Sequence, residues 1–378
     1  MDSALYEQRL ILAPPAALVE SAVGLACDTL AAMLISPVFK RPFALPALLF
    51  SAAIVLAGCT GNDTRPAPPV VVAPVAKPLP LPKIRIGIAL GGGAAKGFAH
   101  IGVIKMLEAN GFKPEFVAGT SAGSVVGALY ASGMDPFLLQ ERAVALDESS
   151  IRDVSLFSGG LIKGQKLQDY VNGQVRQKPI EAMKLPFAAV ATQLETGKRT
   201  VFSRGNAGQA VRASSSIPGV FEPVQIGKFS YVDGGIVSPV PVDAVRGLGA
   251  ELVIAVDISS KASGKTPDGM LGIVNQSIAI MGQKLGEQEL ARADVIIRPR
   301  VASIGPADFE QRNQAILEGE RAALAAMPQI RARIAQLQKV KIAARPVAPL
   351  PTIKPEPECA KPSRVESALG LAPDCKGD

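Results

Sequence analysis

Two strand–glycine turn–helix units follow one another between residues 84 and 131, and they constrain the fold more than any other feature of the chain. Ile84-Arg85-Ile86-Gly87-Ile88-Ala89-Leu90 is an apolar strand that runs into Gly91-Gly92-Gly93-Ala94-Ala95-Lys96-Gly97. A helical stripe follows at His100, Val103, Ile104 and Leu107. Phe116-Val117-Ala118 then leads into Gly119-Thr120-Ser121-Ala122-Gly123 and a helix through Ala131. Strands buried on both faces read as near-continuous apolar runs, and successive strand–helix units build a parallel sheet with their turns at the carboxyl edge. The expected fold class is therefore α/β.

Further strands are expected from Phe187 to Thr192 and from Arg199 to Phe202, joined by the tight turn Glu195-Thr196-Gly197-Lys198. Glu251 to Asp257 and Asp294 to Ile297 read as later strands of the same sheet, and residues 308–340 as one or two helices interrupted by Pro328.

The apolar surplus of the chain lies ahead of this region. Lys40 and Arg41 precede an apolar run from Phe43 to Gly58 that ends at Cys59. A basic flank, a short apolar stretch and small residues at its end form the pattern of a secretory signal, too short for a spanning helix of about 20 residues. Leu56-Ala57-Gly58-Cys59 resembles a bacterial lipobox, in which the cysteine takes the lipid anchor. Residues 1–32 fit a signal badly, so translation is expected to start at Met33.

Residues 60–83 hold seven prolines, a composition that forms an extended tether rather than a core. The expected organisation is a signal segment over 1–58, a Pro-rich tether over 59–83, one folded domain over 84–343 and a Pro-rich tail over 344–378. Cys359 and Cys375 in that tail are an even pair. An oxidising compartment permits a disulfide between them, with two free thiols as the alternative.

Charge and aromatic content narrow the partners. Past residue 58 the chain carries a net charge of +8, compatible with an anionic membrane surface or an acidic polymer. It has no Trp and four Tyr, which disfavours base-stacking platforms, so no nucleic-acid partner is expected. The single histidine rules out a multi-His metal site, and neither a metal nor a cofactor is expected.

Gly119-Thr120-Ser121-Ala122-Gly123 fits G-x-S-x-G in the strand-then-helix setting that a nucleophile elbow needs. The glycines leave room around a strained turn, and the following helix N-terminus offers N–H groups to an anion. The glycine loop at 91–97 has two readings. As a dinucleotide turn it lacks the acid that would hold a ribose, since the second strand ends in Ala118-Gly119-Thr120. As an oxyanion hole it lies one strand from the serine and offers amides freed by small residues.

His100 does not complete a triad in any of the three familiar orders. No histidine follows Ser121, no Asp lies between His100 and Ser121, and the nearest acid before His100 is Asp63 in the tether. A buried structural place on its helix stripe suits His100 better. Asp233, in Tyr231-Val232-Asp233-Gly234-Gly235, is the carboxylate in a conspicuous setting, at the end of a strand with Gly234 and Gly235 clearing space; a plain β-turn is the alternative.

The glycine loop, the Gly-Thr-Ser-Ala-Gly elbow and Asp-Gly-Gly, in this order, resemble the patatin-like phospholipase family, as does the block from Ala213 to Val224 between serine and aspartate. The likeness spans about residues 84–300 and is closest to small bacterial members akin to the catalytic domain of neuropathy target esterase. It implies a three-layer α/β sandwich with a mainly parallel central sheet. It also implies a Ser121–Asp233 dyad without histidine, with an oxyanion hole from the amides of Gly92, Gly93, Ala94 and Ala122. Ala94 stands where the family often has a glycine. The implied activity is hydrolysis of acyl lipids or related esters by a protein lipid-anchored in the bacterial envelope, facing the periplasm, with the outer membrane favoured over the inner. The alternative is an envelope lipoprotein that binds lipid without catalysis.

Overall fold

The computed structural model describes residues 79–151, 153, 162–259, 266–267, 269–346 and 368–369, all within the unit Ala76–Asp378. Met33, Cys59, Cys359 and Cys375 lie outside the described residues.

The elements in chain order are β1 (Ile86–Leu90), α1 (Phe98–Ala109), β2 (Phe116–Thr120), α2 (Ala122–Ala131), α3 (Pro136–Val144) and α4 (Gln165–Gln174). There follow β3 (Phe187–Gln193), β4 (Arg199–Phe202), α5 (Ala207–Ser214), β5 (Val224–Ile226) and β6 (Phe229–Asp233). The chain continues through α6 (Val242–Gly247), β7 (Leu252–Val256), α7 (Gly269–Leu290), β8 (Val295–Ile297) and α8 (Arg312–Ala343). Local chemistry marks several starts. Asp135 caps α3 by accepting the Phe137 N–H with Pro136 in the first turn, and Asn206 caps α5 by accepting the Gln209 N–H.

The strands form one eight-stranded sheet. Its core, β3-β2-β1-β7-β8, is parallel throughout, and β4, β5 and β6 join antiparallel at the β3 end. The architecture is thus an α/β sandwich with a mainly parallel sheet between helical layers. Along the parallel strands the side chains alternate between two cores. Ile88, Leu90, Val117, Phe187, Ile254 and Val256 face a large core shared with α1, α2, α3 and α8. Ala89, Ala118, Ala188, Val253 and Ala255 face a smaller core against α6 and the end of α7. Alternation with a period of two sends neighbouring residues to opposite faces, and the face against α6 is the richer in alanine.

Residues 308–340 do not contain two helices. After a short 3₁₀ turn at Phe309–Gln311, α8 runs unbroken through Pro328 to Ala343. Proline removes one intrahelical hydrogen bond, but the buried stripe Ile316, Ala323, Met327 and Ile330 continues past it and holds both halves to the same core. The end of α8 also fastens the entry to β1. Lys341 Nζ donates to the Lys83 carbonyl at 3.0 Å and pairs with Glu251 at 2.9 Å. No helix among the described residues is long and apolar enough to cross a membrane.

Candidate active site

Strand β3 brings the two candidate groups together. On one edge it pairs with β4 along Ala189 to Thr192. Its other edge is shared by two strands that approach from opposite directions. β2 runs parallel to it as far as Thr120↔Val190, and β6 runs antiparallel to it and ends at Asp233↔Ala191. Consecutive residues of β3 therefore hold the last residue of β2 and the last residue of β6. Ser121 follows directly on β2, so the register delivers its side chain to the Asp233 carboxyl.

Ser121 is the turn between β2 and α2, with φ 54° and ψ −125°, a left-handed conformation costly for a residue with a side chain. Neighbouring hydrogen bonds fix that turn. The Ser121 N–H donates to Ser214 Oγ at 2.9 Å, and Ser214 Oγ donates in turn to the Val190 carbonyl at 2.6 Å. The Ser121 carbonyl accepts from the Ser124 N–H and from Ser124 Oγ at 2.8 and 2.7 Å. The flanking glycines are required by space: a Cβ on Gly123 would lie 2.1 Å from the Leu90 carbonyl oxygen, and one on Gly119 would lie 2.3 Å from the Gly123 carbonyl oxygen.

Asp233 is 6% exposed and Ser121 5%. Burial raises the Asp233 carboxyl from 3.8 to about 6, while the facing Ser121 hydroxyl and the Gly235 N–H oppose the rise. Asp233 Oδ1 accepts that N–H at 2.7 Å. Oδ2 is buried with no partner at full hydrogen-bond geometry, so the Ser121 contact is a loose one. Contacts of this kind are commonly long in a free site and tighten around a ligand. The Asp233 backbone is pinned on both sides, by the Ser216 carbonyl at 2.8 Å and by Thr192 Oγ1 at 2.8 Å.

Beside the serine lies the glycine loop between β1 and α1. The Gly92 N–H donates to the Pro239 carbonyl at 3.0 Å, which removes Gly92 from the four expected donors. The backbone bond to Pro239 fastens the loop to the segment after Asp233, a link invisible in the local sequence. The amides of Gly93, Ala94 and Ala122 make no hydrogen bond among the described residues. Ala94 has φ 50°, in the region that glycine enters without strain. Lys96 is buried, and burial lowers its pKa.

His100 is fully buried in α1. Its Nε2 lies 2.8 Å from the Gly91 carbonyl, an obligate acceptor, so Nε2 carries the proton and donates. Burial lowers its pKa from 6.5 to about 4, and the ring is neutral at physiological pH. His100 therefore braces the start of the loop through the Gly91 carbonyl.

Ser214 and Ser216 lie in the serine-rich block at 213–216, but their bracing roles follow only from the fold.

The α/β sheet thus presents a serine at a strained strand-to-helix turn, with a buried carboxylate facing it and amides without partners among the described residues alongside. Residues 88–246 match the family model for patatin-like phospholipases. An uncharacterized NTE family protein of Mycobacterium tuberculosis is 38% identical over 188 residues, 49% of this chain and 52% of its own length. A second NTE family protein of the same organism is 30% identical over 269 residues, covering 64% of this chain and 46% of its own. Patatin-like phospholipase domain-containing protein 6 of Mus musculus is 33% identical over 184 residues, 47% of this chain and 14% of its own. The chain thus spans about half the length of the mycobacterial relatives it matches. Among solved structures, VipD from Legionella pneumophila aligns over 67% of each chain at 15% identity with a TM-score of 0.48.

Proposed function

We propose that this protein is a serine lipid acyl hydrolase in which Ser121 is the nucleophile and Asp233 the general base. The observation that carries the reading is the meeting of β2 and β6 on consecutive residues of β3, which sets a strained serine against a buried carboxylate. A carboxylate of ordinary pKa is a weak base for an alcohol; desolvation raises that of Asp233 to about 6, nearer the working pH.

The steps follow from the placement of the groups. Ser121 Oγ adds to the acyl carbonyl while its proton passes to Asp233 Oδ2. The carbonyl oxygen becomes an oxyanion that the Gly93, Ala94 and Ala122 amides receive, each such donor being worth roughly 3–4 kcal/mol in the transition state. The N-terminus of α2 adds its dipole at the same place. Collapse breaks the ester bond, and the leaving alcohol takes the proton from Asp233. Water then attacks the acyl-serine, again giving a proton to Asp233, and the fatty acid leaves as Ser121 regains its hydrogen.

The substrates belong to the acyl lipids of a membrane or to related esters. The lipobox at Leu56–Cys59 and the proline-rich stretch after it support an anchor and tether in the bacterial envelope, on the periplasmic side.

The test is fatty-acid release from a panel of phospholipid, lysophospholipid and neutral ester substrates. The parent protein should hydrolyse at least one class, and Ser121→Ala should lose about 1,000-fold or more in kcat. Equal rates for the two proteins would reject the nucleophile, and binding of lipid without turnover by the parent would favour the silent lipoprotein.

A further inference from the structure

Glu289 is a buried carboxylate outside the reacting pair, 4% exposed at the end of α7. Buried carboxylates persist where hydrogen bonds satisfy them, and those of Glu289 all converge on one short segment. Its Oε1 accepts from Ser238 Oγ at 2.5 Å, and its Oε2 accepts from the Val240 N–H at 2.8 Å. The two bonds straddle Pro239, so one side chain fixes three consecutive residues.

That segment touches every part of the site. The Ser238 carbonyl accepts from Thr120 Oγ1 at 2.7 Å, and Thr120 is the residue before the nucleophile. The Pro239 carbonyl accepts the Gly92 N–H at 3.0 Å, at the start of the amide loop. The Ser238 N–H donates to the Gly234 carbonyl at 2.8 Å, in the turn that follows Asp233. A shift of residues 238–240 would therefore move serine, amide loop and carboxylate relative to one another.

From outside, Arg199 lies 3.8 Å from Glu289 Oε1. Arg199 and Arg292 are both tied to Asp243, which keeps positive charge close to the buried carboxylate.

We propose that Glu289 is a positioning residue for hydrolysis, clamping residues 238–240 so that Ser121, the Gly93 and Ala94 amides and Asp233 hold their mutual geometry. The proposal rests on the hydrolase reading above. A carboxylate suits the task because two donors, a hydroxyl and an amide, point to the same place and need two acceptors. Glutamine keeps the shape and satisfies both, since Ser238 Oγ can turn from donor to acceptor. Alanine satisfies neither. Misplacement of reacting groups by about 1 Å costs on the order of 100-fold in rate, with little need for a change in binding.

The experiment compares the full-length parent protein, Glu289→Gln, Glu289→Ala and Thr120→Val. Active sites are counted by fluorophosphonate titration, and kcat is expressed per titrated site on the ester that the parent hydrolyses. Glu289→Ala should fall about 10- to 100-fold in kcat per site with KM changed less than about threefold, and Glu289→Gln should recover to within about threefold of the parent. A residue that only docks α7 would lower thermal stability and the number of titratable sites while leaving kcat per site unchanged. Such a result for Glu289→Ala, within about twofold of the parent per site, overturns the proposal. If Glu289→Ala does not fold, Thr120→Val decides: it removes only the Thr120–Ser238 link, and kcat per site should fall at least about fivefold, whereas a value within about twofold overturns the clamp. A parent protein that neither titrates nor hydrolyses overturns the hydrolase reading itself and is thereby told apart from failure of the clamp alone.

Discussion

At Asp233 burial works against charge and the proposed chemistry needs that charge. The carboxyl, raised to about 6, must be ionised to act as a base, so kcat/KM should climb through about pH 6 to a plateau above it. The linkage to stability has the opposite direction. A carboxyl whose folded pKa lies above its unfolded value of 3.8 binds more protons folded than unfolded between those two values, so its contribution to stability falls as pH rises through about 6. Asp233→Asn removes this dependence. Its melting temperature relative to the parent should therefore shift in the variant's favour between about pH 4 and pH 7, by the equivalent of up to roughly 3 kcal/mol. A difference in melting temperature that does not vary with pH would show that the carboxyl is not desolvated.

His100 runs the other way. With its pKa lowered to about 4 it favours the fold above its unfolded value of 6.5, and that stabilisation is lost as pH falls through about 4. The lone histidine was legible from the sequence as unable to complete a triad. Its bond to Gly91 was not, because a hydrogen bond between a helix and the preceding loop depends on packing rather than spacing.

Elements built on local pattern were readable along the chain. The apolar runs at β1, β2, β3 and β7 and the glycine turns after the first two follow from spacing alone, and the parallel pairing of β1 with β2 follows from them. The head-on meeting of β2 and β6 along β3 was hidden, because residues 120 and 233 become neighbours only through register with a third strand. Segment 238–240 and Glu289 escaped for the same reason, being joined by bonds across about 50 residues of chain.

Pro328 misled in the other direction, since helix-breaking propensity yields where an apolar stripe is buried on both sides of it. What α8 does require is close approach to α1. A Cβ on Gly319 would lie 2.0 Å from the Ala99 carbonyl oxygen, and one on Gly102 would lie 2.0 Å from that of Ile316. Gly319→Ala must push two backbones apart and should destabilise the protein by about 3 kcal/mol in urea unfolding; a loss below about 0.5 kcal/mol would contradict the tight crossing.

For the whole molecule, the proposal joins a lipid anchor, a tether and a hydrolase domain that meets acyl esters at a membrane. If Cys59 carries the anchor, the mature protein expressed in a bacterial host should show a mass increase of acyl chains and sediment with membranes, and Cys59→Ser should lose both. Persistence of both in that variant would place the anchor elsewhere. The Ser121–Asp233 dyad acts at one oxygen, and covalent capture reports on that oxygen. Full-length protein treated with a fluorophosphonate should carry a single adduct on the peptide containing Ser121, and Asp233→Asn should label at least about 100-fold more slowly. An adduct on another residue, or Asp233→Asn labelling at the parent's rate, would contradict a Ser121–Asp233 dyad.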